Sequence, residues 1–308
     1  ARLEIEIKNT TGSVQQGTLN ISAETMYSSD AQKVEPVQVA YTSGAVTETA
    51  VVDYPMGEEV RLWDEFNPNM YQLSVELDEG AAAAAWTGSF GMREIRPVGK
   101  GFEINGRPVF FRGTLECCIF PKTGYPPTRV EDWERIITIC KAHGLNHIRF
   151  HSWCPPKAAF MAADKLGFYY QAEASGWVTG LGEGTPIDQW IYDESERMIA
   201  EYGNHPSFCL MPYGNEPHGP KHVEYLTEFV KDWKAKDTRR LYATAAGWPL
   251  IAENDYHNAH NIRIQGWNAN LNGIINKQAP RSDYDWGQKV AQRNAPVISH
   301  EIGQWCVY

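Results

Sequence analysis

Apolar and polar residues alternate with a period of two in Leu3-Glu4-Ile5-Glu6-Ile7, again from Gly17 to Ala23, and again from Tyr71 to Leu77, where Asp78-Glu79-Gly80 closes the run as a turn. Short strands at regular intervals, separated by polar turns, predict a β-sandwich over residues 1–96. The alanines Ala81 to Ala85 admit a helical turn, but one too short to stand alone.

After Gly99-Lys100-Gly101 the rhythm changes. Strands are predicted at Arg107–Gly113, Asn146–Phe150, Phe168–Ala172, Ser207–Met211, Leu241–Thr244, Ile262–Gly266 and Pro296–Ser299. Helices are predicted at Val130–His143, Pro156–Leu166, Asp188–Tyr202 and His222–Lys236, the first two stopped by Gly144 and Gly167. Strand and helix alternating across short connections means a parallel sheet covered by helices. Seven such strands are one short of a closed (β/α)8 TIM barrel. The expectation is therefore a barrel domain over residues 97–308 that is truncated after its seventh strand and lacks its C-terminal part. Such a chain is expected to show little turnover by itself.

Within this pattern two glutamates stand out. Glu216 follows Met211-Pro212-Tyr213-Gly214-Asn215, and Glu301 follows Val297-Ile298-Ser299-His300, so each carboxylate falls where a buried strand hands over to its loop. That is the rim on which α/β barrels carry their catalysis. A single such glutamate is most often a solvated or ion-paired residue; two in matched strand-end contexts suit glycosidic bond cleavage. One must arrive protonated to help the leaving oxygen depart, while the other stays ionised to attack the anomeric carbon.

Composition narrows the class. The chain has 308 residues, 43% of them hydrophobic and 12% aromatic, enough for a sizeable core and two domains. A formal charge of -10 and a pI near 5.4 exclude the basic footprint of a nucleic-acid binder. No run of about 18 apolar residues is present to span a membrane. Six cysteines do not make a disulfide scaffold, and all are expected to be reduced. Ala1 leads straight into a strand; we expect a periplasmic or secreted piece of a longer bacterial precursor rather than a cytoplasmic protein.

Several phrases together resemble glycoside hydrolase family 2, the β-galactosidases, β-glucuronidases and β-mannosidases. They are Leu62-Trp63-Asp64-Glu65-Phe66-Asn67-Pro68-Asn69-Met70-Tyr71, Gly91-Met92-Arg93-Glu94-Ile95, Phe102 to Gly113, Ile148-Arg149-Phe150-His151, Gly214-Asn215-Glu216-Pro217 and the segment around Glu301. The resemblance implies an immunoglobulin-like sandwich before the barrel and a retaining, exo-acting hydrolysis of terminal sugars. It implies Glu216 as acid and base, Glu301 as nucleophile, Asn215 on the sugar 2-hydroxyl, and Arg149 keeping the nucleophile ionised. Two parts of the family pattern have no counterpart here: the jelly-roll domain and the eighth strand. Phe150-His151-Ser152-Trp153 also differs from the Thr-Ser-His-Tyr phrase of familiar members, so the sugar stays open among galactoside, glucuronide, mannoside and arabinopyranoside.

Further candidates lie just past predicted strands. Trp177, Trp248, Trp267 and Trp305 offer aromatic faces to a pyranose ring, with barrel-top packing as the alternative. His151 and Glu173 end strands and suit sugar hydroxyls, with a structural polar role as the alternative. Lys122 and Arg129 would matter for a uronic acid. Neither Cys140, His143 and His147 nor His257 and His260 brings a full ligand set together, so no metal and no cofactor is expected. The expected partner is a carbohydrate substrate, with no nucleic acid or membrane; the sequence does not reveal an oligomeric state. The competing class is a non-catalytic carbohydrate-binding protein on the same scaffold, for which two opposed glutamates would have no chemical use.

Overall fold

The structure is a computed structural model that describes residues 1–28, 30–44, 47–78, 84–264, 273–274, 277–279, 281 and 283–303. The chain divides into two compact units, residues 1–93 with 204–206, and residues 94–203 with 207–308.

The first unit is built from β1 (Arg2–Lys8), β2 (Gln15–Met26), β3 (Lys33–Ser43), β4 (Thr47–Asp53), β5 (Met70–Asp78) and β6 (Ala84–Phe90). The strands β3-β2-β5-β6 form one antiparallel sheet, and β1 pairs with β4 in a second. Leu19, Ile21 and Ala23 of β2 and Tyr71, Leu73 and Val75 of β5 present their period-two apolar face to a core that also takes Leu3, Ile5, Ile7 and Val52 from the other sheet. Alternation along each strand thus places one face of each sheet inside, as the sequence pattern requires. Ala84 and Ala85 belong to β6, paired with Leu77 and Glu76, so the alanine run ends as strand rather than helical turn; Ala81 to Ala83 lie outside the described residues.

The second unit opens with an antiparallel meander: β7 (Ile95–Val98), β8 (Gly101–Ile104) and β9 (Arg107–Val109). Asn105 and Gly106 join β8 to β9 with φ of 52° and 73°, the left-handed pair that a two-residue hairpin turn demands. The strand expected at Arg107–Gly113 is therefore two things. Arg107–Val109 pairs backwards on β8, and the first parallel strand, β10, starts only at Gly113 and ends at Glu116. Pro108 cannot donate to a ladder and suits the meander's last strand better than a central position.

The order then runs α1 (Val130–Ala142), β11 (His147–Phe150), α2 (Lys157–Leu166), β12 (Tyr169–Ala172), α3 (Pro186–Tyr202), β13 (Phe208–Pro212), α4 (His222–Lys236), β14 (Leu241–Ala243), β15 (Ala246–Gly247), β16 (His257–Ala259), α5 (Gly287–Ala291) and β17 (Val297–Ser299). The strands β10 to β14 form a parallel sheet in sequence order, and β15, β16 and β17 form a second. A bridge between Asn215 and Ala246 continues β13 onto β15. The strands β11 to β14 are buried at every position, as strands covered on both faces must be. Helix α4 offers a matching stripe: Leu226, Phe229, Val230 and Trp233 recur at helical spacing and are all buried. Gly167 ends α2 in a left-handed conformation.

The strand expected at Ile262–Gly266 is also displaced. Ile262, Arg263 and Ile264 are irregular, Gln265 and Gly266 lie outside the described residues, and the strand that pairs with β17 is His257–Ala259. His257-Asn258-Ala259 has little apolar character to announce it. Pairing to β17 selects it, and all three of its residues are buried.

Two glycines set the closeness of the site's strands. A parallel bridge joins Gly176 to Gly214, and a Cβ on Gly214 would overlap the Gly176 carbonyl. No flexible side chain is there to yield. Gly214→Ala is accordingly expected to cost about 1–3 kcal/mol of stability by overpacking and to move Asn215 and Glu216, measured as a lowered urea midpoint. An unchanged midpoint would contradict the close approach.

Candidate active site

Six of the residues expected to form a site converge. Arg149, on β11 and buried, is the centre of the arrangement. Its Nε donates to Glu173 Oε1 at 2.6 Å, one Nη to Asn215 Oδ1 at 2.7 Å, and the other Nη to the His300 carbonyl at 3.2 Å. Glu173, just past β12 and fully buried, also accepts from the Ser152 amide at 2.6 Å and from Gln171 Nε2 at 3.2 Å. Gln171 in turn accepts from the Tyr256 hydroxyl at 3.2 Å. Glu173 is therefore held by fixed donors. Its carboxylate balances Arg149, which supports the structural alternative named for it.

Glu301 stands behind this pair. Its Oε1 lies 3.7 Å from Arg149 Nη1, 3.8 Å from His151 Nε2 and 3.7 Å from His300 Nε2. Glu216 enters from β13, its Oε1 3.5 Å from the same His300 Nε2. The two carboxylate oxygens are thus no further apart than 3.5 and 3.7 Å laid end to end. Glu216 remains partly open, with about a quarter of its side chain exposed against 7% for Glu301.

The strand ends position these groups through unusual backbone. Cys118, Ser152, Ser175 and Glu216 follow β10, β11, β12 and β13, and each has a positive φ, +36° at Glu216. Left-handed conformations are costly for such residues and persist only where surroundings over-determine them. For Glu216 the constraint is visible: its amide donates to the Ala246 carbonyl at 2.9 Å. Gly247, at φ +105°, makes room beside it, since a Cβ there would stand 3.1 Å from Glu216 Cγ and 3.8 Å from His300 Nε2.

The expectation that Arg149 acts to keep Glu301 ionised is met in direction, but Arg149 is not the largest influence. Burial dominates and raises the Glu301 carboxyl; Arg149 opposes that, while Glu216 and Glu173 add to it. The guanidinium is nearest to Glu173, so only part of its field reaches Glu301. Burial, helped by Arg149, pushes His300 down to about 3 and lowers His151 as well. Arg263, in the irregular segment past β16, lies in the field of both Glu216 and Glu301.

Of the aromatic candidates, Trp177 meets His151 edge-on at 5.0 Å and is 60% exposed, a free face at the rim. Trp248 donates to the Pro217 carbonyl at 2.7 Å and sits between His218 and His260. Trp267 and Trp305 lie outside the described residues. Lys122 is exposed, and Arg129 pairs with Glu131 on the surface. Among the described residues no group of three or more His, Cys, Asp or Glu side chains is arranged around a metal, and no helix is long and apolar enough to cross a membrane. Cys117, Cys118, Cys140, Cys154 and Cys209 form no disulfide among the described residues; Cys306 lies outside them.

Sequence reasoning missed His300, Gly247 and Arg263. His300 is adjacent to Glu301, and residues adjacent on a strand point to opposite faces. Only because the chain leaves β17 at Ser299 can both side chains approach one point.

Residues 1–93 match the profile of Glycosyl hydrolases family 2. The chain is 30% identical over 155 residues to a β-galactosidase of Thermoanaerobacterium thermosulfurigenes, covering 50% of this chain and 21% of that protein. It is 25% identical over 201 residues to the β-galactosidase large subunit of Lactobacillus acidophilus, covering 60% of this chain and 31% of that one. The chain thus spans a fifth to a third of the length of these relatives. Its fold is similar to that of a β-glucuronidase of Bacteroides uniformis, with a TM-score of 0.68 at 19% identity over 78% of this chain and 31% of that one. It is likewise similar to a family 2 β-galacturonidase of Eisenbergiella tayi, with a TM-score of 0.68 at 19% identity over 83% of this chain and 46% of that one.

The buried imidazoles make stability acid-sensitive. His147 and His300 are both pushed down to about 3 by burial, so their folded values lie below the unfolded one near 6.5. The stability they contribute is complete above about pH 6.5 and is lost as pH falls toward 3, at up to about 1.4 kcal/mol per pH unit for each. Glu301, raised in the folded state, acts in the opposite sense: its contribution is present at low pH and is lost as pH rises through its folded value. Urea midpoints measured across this window should fall with acid, and His147→Leu should flatten the slope. An equal slope in the variant would refute the assignment.

Proposed function

We propose that this chain, a relative of the family 2 glycosyl hydrolases, holds the catalytic centre of a retaining, exo-acting glycosidase on an immunoglobulin-like sandwich followed by most of a (β/α)8 barrel. The observation that carries the reading is the convergence of Glu216 and Glu301 on one buried nitrogen, His300 Nε2. Retaining enzymes hold their carboxyls about 5–5.5 Å apart, whereas inverting enzymes leave roughly 6.5–9.5 Å for a water. The approach of both carboxylates to within 4 Å of His300 Nε2 favours the closer, retaining spacing.

In this reading the terminal sugar sits over Trp177, with the glycosidic oxygen toward Glu216 and the anomeric carbon toward Glu301. Glu216 gives its proton to the leaving oxygen as that bond breaks, and a Glu301 oxygen forms the ester to the anomeric carbon. Glu216, now a carboxylate, takes a proton from water, which attacks the same carbon and releases Glu301. The partial exposure of Glu216 suits its exchange with water, and the burial of Glu301 suits a nucleophile that must be dry. Asn215, whose Oδ1 is committed to Arg149 and whose buried Nδ2 has no partner among the described residues, has a donor left for the sugar 2-hydroxyl. Such a donor tightens as charge develops at the neighbouring carbon. The relatives are named for galactosides and the structural neighbours for uronides, so a panel of nitrophenyl glycosides should contain both. The alternative, a carbohydrate-binding protein without chemistry, lacks a reason for the second glutamate.

In an active polypeptide carrying this sequence, Glu301→Gln is expected to abolish turnover. Glu216→Gln should lose about 10²–10⁴-fold on poor leaving groups and much less on dinitrophenyl glycosides, which need no protonation. Azide should rescue Glu216→Ala and yield the β-glycosyl azide from a β-glycoside. The first sugar released, followed by NMR, should retain its configuration. An inverted first product would exclude the mechanism.

The raised Glu301 carboxyl places the acidic limb of kcat/KM above the ordinary glutamate range near 4.3. Arg149→Met removes the positive charge 3.7 Å from that carboxyl and should move the limb to still higher pH. A limb displaced to lower pH would contradict the electrostatics.

A further inference from the structure

His300 is the group in the site that the two-carboxylate mechanism leaves without a task. It is buried, its Nε2 lies 3.5 Å from Glu216 Oε1 and 3.7 Å from Glu301 Oε1, and among the described residues neither ring nitrogen has a hydrogen-bond partner. A buried polar group is normally paired, and one that is not calls for an explanation. Its backbone is fixed, since the His300 amide reaches the Ala259 carbonyl at 3.4 Å and its own carbonyl accepts from Arg149. Gly247 leaves the space in which the ring stands, 3.8 Å from where a Cβ would be.

The groups around the ring settle its charge. Glu216 and Glu301 face Nε2, while Arg149, His260 and Arg263 act on it from β11 and from the segment after β16; His151 and Glu173 complete the charged surroundings of Glu301. Burial and the two arginines keep the ring neutral near pH 7. A neutral imidazole has a single N–H. Carried on Nε2, that N–H can serve either carboxylate but not both at once.

Resting on the function proposed above, we propose that His300 is a positioning residue whose Nε2–H follows the negative charge between the two carboxylates during the reaction. Before reaction the charge is on Glu301 and the N–H points there. As the ester forms, Glu301 loses its charge, the proton of Glu216 leaves with the aglycone oxygen, and the N–H turns to the Glu216 carboxylate over the same short distance. When water attacks, Glu216 regains a proton, Glu301 is released as carboxylate, and the N–H returns. No proton enters or leaves the imidazole, so every atom is accounted for by the two glutamates, the sugar and water. In both transition states the charge is divided between the carboxylates, and a donor between them stabilises each. The donor costs little reorganisation because it needs only a small tilt of one ring.

The test compares His300→Phe, which keeps the ring and removes the donor, with His300→Gln, whose amide Nε2 offers a donor in its place. In an active polypeptide carrying this sequence, burst kinetics on a dinitrophenyl glycoside separate formation of the glycosyl enzyme from its hydrolysis. The expected result is a loss of about 10- to 100-fold in both steps for His300→Phe, the size of one hydrogen bond to a charged group. The acidic limb of kcat/KM should also move to higher pH as Glu301 loses a donor, and His300→Gln should recover most of both. A role confined to packing would leave the pH limb in place and would not distinguish Gln from Phe, and either finding overturns the proposal; so does a loss confined to one step. Should the Phe variant not fold, imidazole ¹H–¹⁵N spectra of the unaltered chain decide the matter: a ring protonated on Nε2 at neutral pH supports the proposal, and the Nδ1–H tautomer overturns it. Failure of the functional reading has a different signature. Activity that survives Glu301→Gln removes that reading, whereas activity that depends on both glutamates but not on His300 removes only this inference.

Discussion

The buried guanidinium of Arg149 is the constraint on which the rest of the site depends. Taking a charge of that kind out of water costs several kcal/mol even after relaxation, and the cost is offset only when geometry and hydrogen bonds are nearly complete. Here they are: a carboxylate at 2.6 Å, an amide oxygen at 2.7 Å and a backbone carbonyl at 3.2 Å. Those partners come from the ends of β12, β13 and β17, while Arg149 itself is on β11. Satisfying one side chain thus sets the positions of four strand ends, and Glu216 and Glu301 are each adjacent in sequence to one of its partners. Glu173 belongs to this balance of charge, which is why it is the most deeply buried carboxylate of the site.

A second constraint is the backbone at those strand ends. Non-glycine residues with positive φ follow four consecutive parallel strands, whereas Gly247 beside them tolerates such a conformation freely. The strain is stored where side chains must be aimed, and the parallel bridges at Gly176 and Asn215 supply the rigid frame against which it is held. Small residues at 176, 214 and 247 are therefore as much a part of the site as the carboxylates. They allow strand ends to approach closely enough for Glu216 and His300 to meet.

Opposing electrostatic effects divide the two carboxylates. Burial raises Glu301, and Arg149 moderates this without reversing it, because its nearest and strongest partner is Glu173. The Glu301 carboxyl is thus held above the ordinary range by burial, with Arg149 acting against that from 3.7 Å. A more intimate pairing with Arg149 would have lowered its basicity further.

Much of this was legible in the sequence, because much of it is local. The period of two in Leu3–Ile7 and Tyr71–Leu77, the stripe from Leu226 to Trp233 and the stop at Gly167 are decided by neighbours within a few residues, and the structure follows them. Glu216 and Glu301 were likewise recognisable as strand-end residues, since a polar residue ending a buried apolar run is itself a local signal, whereas Asn215 and Arg149 were singled out by the resemblance to glycoside hydrolase family 2. Two of the parallel strands were not. Gly113–Glu116 and His257–Ala259 are three or four residues long with weak apolar character, and pairing with β11 and β17 selects them over the expected Arg107–Gly113 and Ile262–Gly266. The sequence by itself determined which residue types stand at the strand ends. Only the tertiary structure decided that Arg149 spends its charge mainly on Glu173, that Glu301 is raised rather than lowered, and that His300 stands between the two glutamates. Distances between distant strand ends, and the burial that sets the cost of a charge, are properties of the packed chain and leave no trace in local spacing.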